Sequence, residues 1–360
     1  MLTLTFRGIG IVWHRTDIRV RIGAGRARMR SGGATMAMAL LAGCGAAEKP
    51  AQAQGLESAS GTLLVANKRG NSLSRLELAS GAETHEVASC ANPHELAVSP
   101  DRRHVALACY SGQELEIYRT ADLGLVKRIE LGAGARPHGA FWHANGTLFA
   151  SAEGRGSIFV IEDPLAAEAK VREIGGGGEG PHMVVVDEAG AFAWGTIVPT
   201  GTVVRYDIAA GRETARHILG GQTEGIALAP GGGAVWVGAN QAGKVYRLDP
   251  ETLAVQVKVP AGPVPIRVAA HPGGEWVVSS NFGGGDLSVI DAATGEVVRT
   301  ISVSGSQAAV QVTLVFSADG ARLYAAETAA DTIAEVDFAS GEVLRRLPTG
   351  AGGDGLAVFD

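Results

Sequence analysis

Three Pro-His pairs, Pro93-His94, Pro137-His138 and Pro181-His182, recur at intervals of 44 residues. The next copies carry Thr223-Glu224 and then Pro265-Ile266-Arg267, each 42 residues further on. Imidazoles with a carboxylate suit zinc or a similar divalent ion, so His94, His138, His182 and Glu224 form a candidate metal set. Glu224 would serve there as an oxygen ligand or as a general base. An open coordination position would polarise a carbonyl or activate water, while Arg267 would hold a substrate carboxylate or stabilise an oxyanion. Glu224 and Arg267 are thus the catalytic candidates, for lactone or ester hydrolysis. The same residues read equally as a ligand site without metal, or as a repeated loop device whose histidines bond backbone carbonyls. The shift from His to Glu224 and then to Ile266 or Arg267 implies a one-sided site.

Other groups carry weaker signals. Glu95, Glu153 and Glu327 have acid/base chemistry but no secure partner, and each reads as well as a solvated rim charge. No nucleophile elbow, HExxH motif, phosphate loop or Ser-His-Asp signature is found in the sequence. Cys90 lies just before the strand that begins at His94, and Cys109 ends the strand after it. The pair forms a disulfide, joins His94 in a soft-metal site, or stays as buried thiols. Trp142, Trp194, Trp236 and Trp276 recur at positions that suit packing, with stacking on an organic ligand as the other use.

The elements that must position these groups follow from the period. Repeats of 42 to 44 residues are the length of a four-stranded propeller blade. Each copy reads as strand, Pro/Asp/Gly turn, strand, Gly-containing loop, strand often ending in Asp, and strand, which leaves little room for helices. A sixth copy starts near Gln311, and a seventh is the terminal fragment Gly353-Asp354-Gly355-Leu356-Ala357-Val358. Segments 61–66, 73–78 and 84–87 supply its other strands. The expected fold is therefore all-β, a seven-bladed propeller of four-stranded blades closed by its C-terminal strand. In such a ring the starts of the innermost strands share one opening: His94, His138, His182, Glu224, Arg267 and Asp354. The second-strand exits return to the same mouth and add Tyr110, Glu153, Thr196, Asn240, Asn281, Glu327 and Asn67.

Phrases such as Leu287-Ser288-Val289-Ile290-Asp291-Ala292-Ala293-Thr294-Gly295-Glu296 and Gly243-Lys244-Val245-Tyr246-Arg247-Leu248-Asp249-Pro250 closely resemble the seven-bladed propellers with YVTN-type repeats. These are related in form to lactonase-like and surface-layer-type propellers. The resemblance covers about residues 61–360. It implies a platform that binds diverse ligands or, in some branches, opens lactone rings, and it leaves the reaction to be argued from the site.

Composition agrees with a turn-rich β architecture. The chain has 360 residues, 51 of them Gly, with 46% hydrophobic and 19% charged residues. That much Gly disfavours long helices, since Gly costs about 1 kcal/mol relative to Ala in a helix. Residues 1–43 hold seven arginines against Asp17 alone and then turn apolar over 34–42 before Leu41-Ala42-Gly43-Cys44. This resembles a bacterial lipoprotein signal, with Cys44 lipidated after cleavage and the true start at Met29 as one reading. Gly45 after that cysteine resembles the pattern sorted to an outer membrane, and 44–60 reads as a flexible tether. Removing residues 1–43 moves the formal charge from -6 to -12. An acidic total disfavours a nonspecific nucleic-acid binder, so no nucleic-acid partner is expected. The expected protein is lipid-anchored in the periplasm or on the outer membrane, and it binds a small ligand or a protein partner at the channel mouth. The alternative is the lactonase-like or metal-assisted hydrolase.

Overall fold

The structure is a computed structural model in which residues 60–360 are described. The signal-like segment 1–43, the lipidation candidate Cys44 and the tether up to residue 59 lie outside the described residues. Seven four-stranded antiparallel sheets make up the fold. Their innermost strands, blades 1 to 7 in order, are Pro93–Val98, Pro137–Trp142, Met183–Val186, Thr223–Leu228, Pro265–Ala270, Gln311–Phe316 and Gly353–Phe359. Among the described residues the helical turns are three short 3-10 segments, Glu153–Arg155, Pro230–Gly232 and Gln307–Ala309.

Local turn chemistry sets the blades. The third strand of blade 5 ends at Asp291, whose carboxylate accepts the backbone N–H groups of Ala293 and Thr294 at 2.9 and 2.8 Å. Asp249 and Asp337 do the same for Thr252 and Ser340. This Asx turn mimics a backbone turn and returns the chain as the fourth strand.

The apolar side chains collect between blades. One cluster joins blades 1 and 2 through Leu115, Ile117, Leu148 and Phe159, and another joins blades 5 and 6 through Val278, Leu287, Leu323 and Val336. The blade-7 strands are clamped on both sides, by Leu63 and Leu76 against Tyr324 and Ile333, and by Leu64 and Leu73 against Leu96 and Leu107. Each such fully buried side chain contributes about 1.5–3 kcal/mol. The outermost strands are largely exposed because they face a neighbour on one side only, as in Ala82–Ala88.

The ring closes as the repeat phase requires. The C-terminal strand Gly353–Phe359 pairs antiparallel with Thr62–Asn67, from Thr62 opposite Phe359 to Asn67 opposite Gly353. The six residues Thr62–Asn67 are all buried. The closing strand also crowds the axis: a Cβ on Gly355 would lie 1.9 Å from the carbonyl oxygen of His94. Only Gly allows that approach.

Candidate functional site at the channel mouth

Two backbone devices aim the candidate residues. The residue before the innermost strand is left-handed in six blades: Asn92, Arg136, Gln222, Val264 and Val310 at φ 49–57°, and Gly352 at 74°. For the β-branched Val264 and Val310 this conformation costs about 1–3 kcal/mol each, and such strain persists only where the surroundings dictate it. A register shift follows at once. Pro93 pairs with Cys109 and Leu96 with Leu107, so His94 and Glu95 together oppose Ala108. The same shift frees His138 and Gly139, then Glu224 and Gly225, and in blade 5 Ile266. An extra residue at the start of a strand bends it and re-aims its side chains, here toward the axis. Blade 3 differs. Its inner strand begins only at Met183, after the glycine run 175–178 with every φ positive, so His182 stands in the entering segment.

The three histidines become neighbours. Ring centroids are 4.7 Å apart for His94 and His138, and 3.5 Å for His138 and His182. Tyr110 completes the row, 4.5 Å from His94. His182 lies between two carboxylates, its Nδ1 2.5 Å from Glu153 Oε1 and its Nε2 3.3 Å from Glu224 Oε1. The second contact is an ion-pair contact that favours a charged ring, although it is not aligned as a hydrogen bond. Tyr110 donates to Glu153 Oε2 at 2.8 Å and accepts from Arg136, whose guanidinium sits over the phenol ring.

Arg267 is placed differently from a substrate-facing arginine. It donates to Glu224 Oε1 at 3.1 Å and to Glu95 Oε1 at 2.5 Å, and its side chain is 6% exposed. Glu95 belongs to blade 1 and Arg267 to blade 5, so this pair spans the channel. Asn240 holds the other Glu224 oxygen at 2.8 Å, and Thr196 bonds the Glu224 carbonyl. Asp354 is met by Lys68 at 3.0 Å.

Burial and charge set the protonation states. Burial raises the Glu224 pKa, but the close contact and charge of His182, followed by Arg267, outweigh it and hold the carboxyl at about 2. Burial opposes the His182 imidazolium, yet Glu153 and Glu224 outweigh it and push that pKa up. Burial, reinforced by the neighbouring His182 and His94, pushes His138 well below the ordinary histidine range. Burial likewise lowers His94. Burial thus favours neutral rings at His94 and His138, while the two carboxylates favour the imidazolium at His182.

His94, His138, His182, Glu224 and Arg267 are brought together with Tyr110, Glu153, Asn240 and Thr196. Asn67, Asn281 and Glu327 are not. Asn67 bonds Ser72 and Ser74, Asn281 bonds Asp286 and Ser288, and Glu327 is buried against Arg346 and Thr332, each within its own blade. Glu95 is likewise no rim charge but the buried far end of the Arg267 bridge. Arg136 and Lys68 are site residues that the sequence reading passed over; the signal for Arg136 was its place in Arg-Pro-His, where the other two Pro-His copies carry Asn92 and Gly180.

Among the described residues, one group of His, Cys, Asp and Glu has three donor atoms all within 4.8 Å of one another: Cys90, Cys109 and Glu116. The three histidines and Glu224 do not gather their donors so closely, the rings packing against one another at tilts of 57° and 33°. Cys90 and Cys109 are joined as a disulfide.

A cavity of about 450 Å³ opens beside the row, lined by Tyr110, Arg136, Glu153, Glu179, His182 and Pro199. Concavities of about 540 and 460 Å³ lie at the opposite end of the blades. They recur at equivalent turns of the blade 3/4 and blade 1/2 junctions, which marks them as features of the repeat, whereas the mouth cavity holds ionisable groups with shifted protonation. Trp194 and Trp142 border these junctions with their indole N–H groups on the carbonyls of Pro250 and Gly146, as packing residues do.

No protein-family model matches the chain, and no curated protein does. Among solved structures it is similar to Kuenenia stuttgartiensis hydrazine synthase, with a TM-score of 0.63 and 20% identity over 78% of this chain and 93% of that one. It is also similar to a functionally unknown protein from Desulfotomaculum acetoxidans DSM 771, with a TM-score of 0.69 and 14% identity over 83% of this chain and 99% of the other. At these identities the likeness is one of fold.

Proposed function

We propose that this protein is an envelope-anchored propeller that binds a small polar ligand, or a polar group of a protein partner, in the cavity at the channel mouth. One observation carries the reading: His182, held by Glu153 and Glu224, borders the cavity together with Tyr110, Arg136 and Glu153, so ionisable and hydrogen-bonding groups converge on one concavity. The strained residues at the strand starts belong to the same face, where strain tends to mark function. Anchoring is supported by the arginine-rich segment ending at Cys44 and by the Cys90–Cys109 disulfide, a bond that persists in oxidising compartments. Metabolite-panel calorimetry on the protein tests the site. Saturable binding that His182→Ala abolishes and Glu251→Gln on the opposite face leaves intact supports it; equal binding by both variants refutes it. Fatty-acid labelling that survives Cys44→Ala would refute the anchor.

A second reading is favoured by one detail. His94 Nδ1 is 3.0 Å from the carbonyl of Asn92, and His182 Nδ1 is held by Glu153, so each ring is oriented through its Nδ1, with His182 Nε2 facing Glu224. Outer partners of this kind orient metal-bound histidines. A divalent metal on His94, His138, His182 and Glu224 would then polarise a carbonyl or activate water, in keeping with the lactonase-like resemblance. Against it, Arg267 and Glu224 already satisfy each other. Elemental analysis and a lactone and ester screen separate the readings: stoichiometric metal and turnover lost in His138→Ala favour the hydrolase.

A further inference from the structure

The disulfide lies where two chain segments meet at blade 1. Cys90 precedes the Asn92-Pro93-His94 entry to the mouth, and Cys109 ends the second strand opposite Pro93, with 5.6 Å between their Cα atoms. Beside them is Glu116, 2% exposed, whose Oε2 accepts the Cys90 N–H at 3.0 Å and the Tyr118 hydroxyl at 2.5 Å, while Arg128 bonds Oε1 at 2.9 Å. Neither the ligand site nor the hydrolase reading uses this carboxylate.

We propose that reduction of the Cys90–Cys109 disulfide turns this corner into a zinc site, with the two thiolates and Glu116 as protein ligands and water in the fourth position. The donor set has the composition that zinc selects, and the backbone N–H, Tyr118 and Arg128 supply the outer partners that fix the carboxylate. The reductant is a dithiol. Its thiolate attacks Cys90 Sγ, the more accessible sulfur since Cys109 is fully buried, and a second exchange releases both cysteines as thiols while the donor becomes a disulfide. Two electrons and two protons pass to the protein. Zinc then displaces the two thiol protons and forms two Zn–S bonds. At about 2.3 Å per bond the sulfurs separate to about 3.7 Å, which rotation about the Cα–Cβ bonds achieves. Without metal, Glu116 disfavours a thiolate pair beside it; the dication and Arg128 offset the three negative charges. The entry segment and second strand are thus tied in both redox states, through S–S or S–Zn–S, and the Asn92 carbonyl stays under His94.

The test titrates the purified full-length protein with zinc against a chromophoric chelator, oxidised and after phosphine reduction under anaerobic conditions, with cadmium in parallel to read the thiolate charge-transfer band. One tight equivalent is expected only in the reduced protein, lost in Cys90→Ser and Cys109→Ser and weakened at least about tenfold in Glu116→Gln. Circular dichroism checks that each variant folds, and Cys90→Ser, at the less buried position, carries the test if Cys109→Ser does not fold. No zinc uptake on reduction, no thiolate band with cadmium, or unchanged uptake by folded Cys90→Ser overturns the proposal. Uptake that His138→Ala abolishes would place the ion on the histidine row instead.

Discussion

Arg267→Met removes the guanidinium that bridges Glu95 and Glu224 while keeping most of the side chain's bulk. The two carboxylates then remain in a site where their side chains are 9% and 15% exposed. Deleting one partner of a buried ion pair costs about 3–5 kcal/mol, because an unpaired charge stays behind. With an unfolding entropy of about 2.1 cal/mol/K per residue over roughly 300 residues, that is a fall in Tm of about 5–8 °C. A second readout comes from pH. Glu224, ordinarily near 4.5, is held at about 2 in the fold. A depressed folded pKa means that its contribution is present above 4.5 and lost as pH falls toward 2. The full amount is ~3 kcal/mol at about 1.4 kcal/mol per pH unit. Arg267→Met gives up part of that depression, so the stability of the variant should fall less steeply on acidification and its deficit should narrow below pH 4.5, toward pH 2. Urea denaturation and thermal melts at pH 7, 4 and 3 measure both. A variant within about 1 °C of wild type at pH 7, or one whose deficit widens in acid, would refute the cross-channel bridge.

Glu153→Gln should lower the His182 pKa toward or below its ordinary value, read by proton NMR of the imidazole. Because the folded pKa is raised, this contribution is present below the unfolded value and lost as pH rises through the folded one; wild type and variant should therefore converge in stability at alkaline pH. Deleting residues 353–360 strips the buried strand Thr62–Asn67 of its partner and should cost a sizeable share of the 5–15 kcal/mol available to a folded protein, so a near-native melt after truncation would refute ring closure. Reducing Cys90–Cys109, which closes a loop of about 20 residues, should cost ~3 kcal/mol and lower Tm by about 5 °C by calorimetry; no change would mean that the bond constrains nothing the fold does not already fix.

The repeat phase was legible because a propeller converts sequence period into angular position. Residues 44 apart at the same phase must reach the same radius and height, so Pro-His at three phases becomes a row of three packed rings. Ring closure was legible for the same reason, since a seventh inner strand without its partners at one end fits three strands without theirs at the other. The disulfide stayed one of three readings, because adjacency of Cys90 and Cys109 does not specify their oxidation state.

Other features depended on direction and distance. Asn67, Asn281 and Glu327 sit at the expected second-strand exits, but their side chains turn into their own blades, where Ser72, Asp286 and Arg346 supply partners. Period places an alpha carbon; it does not choose which way a side chain points. Glu95 and Arg267, 172 residues apart, share no pattern that sequence displays. Their bridge exists because two strand starts shifted in register extend long side chains from different blades into a narrow, poorly solvated axis, where each charge requires the other. The sequence by itself determined the ring, its blade count and the backbone positions that share one mouth, because these follow from periodicity and alternation. Only the tertiary structure decided which ionisable groups neutralise one another and which side chains border the mouth cavity, because both depend on burial and on contacts across the axis.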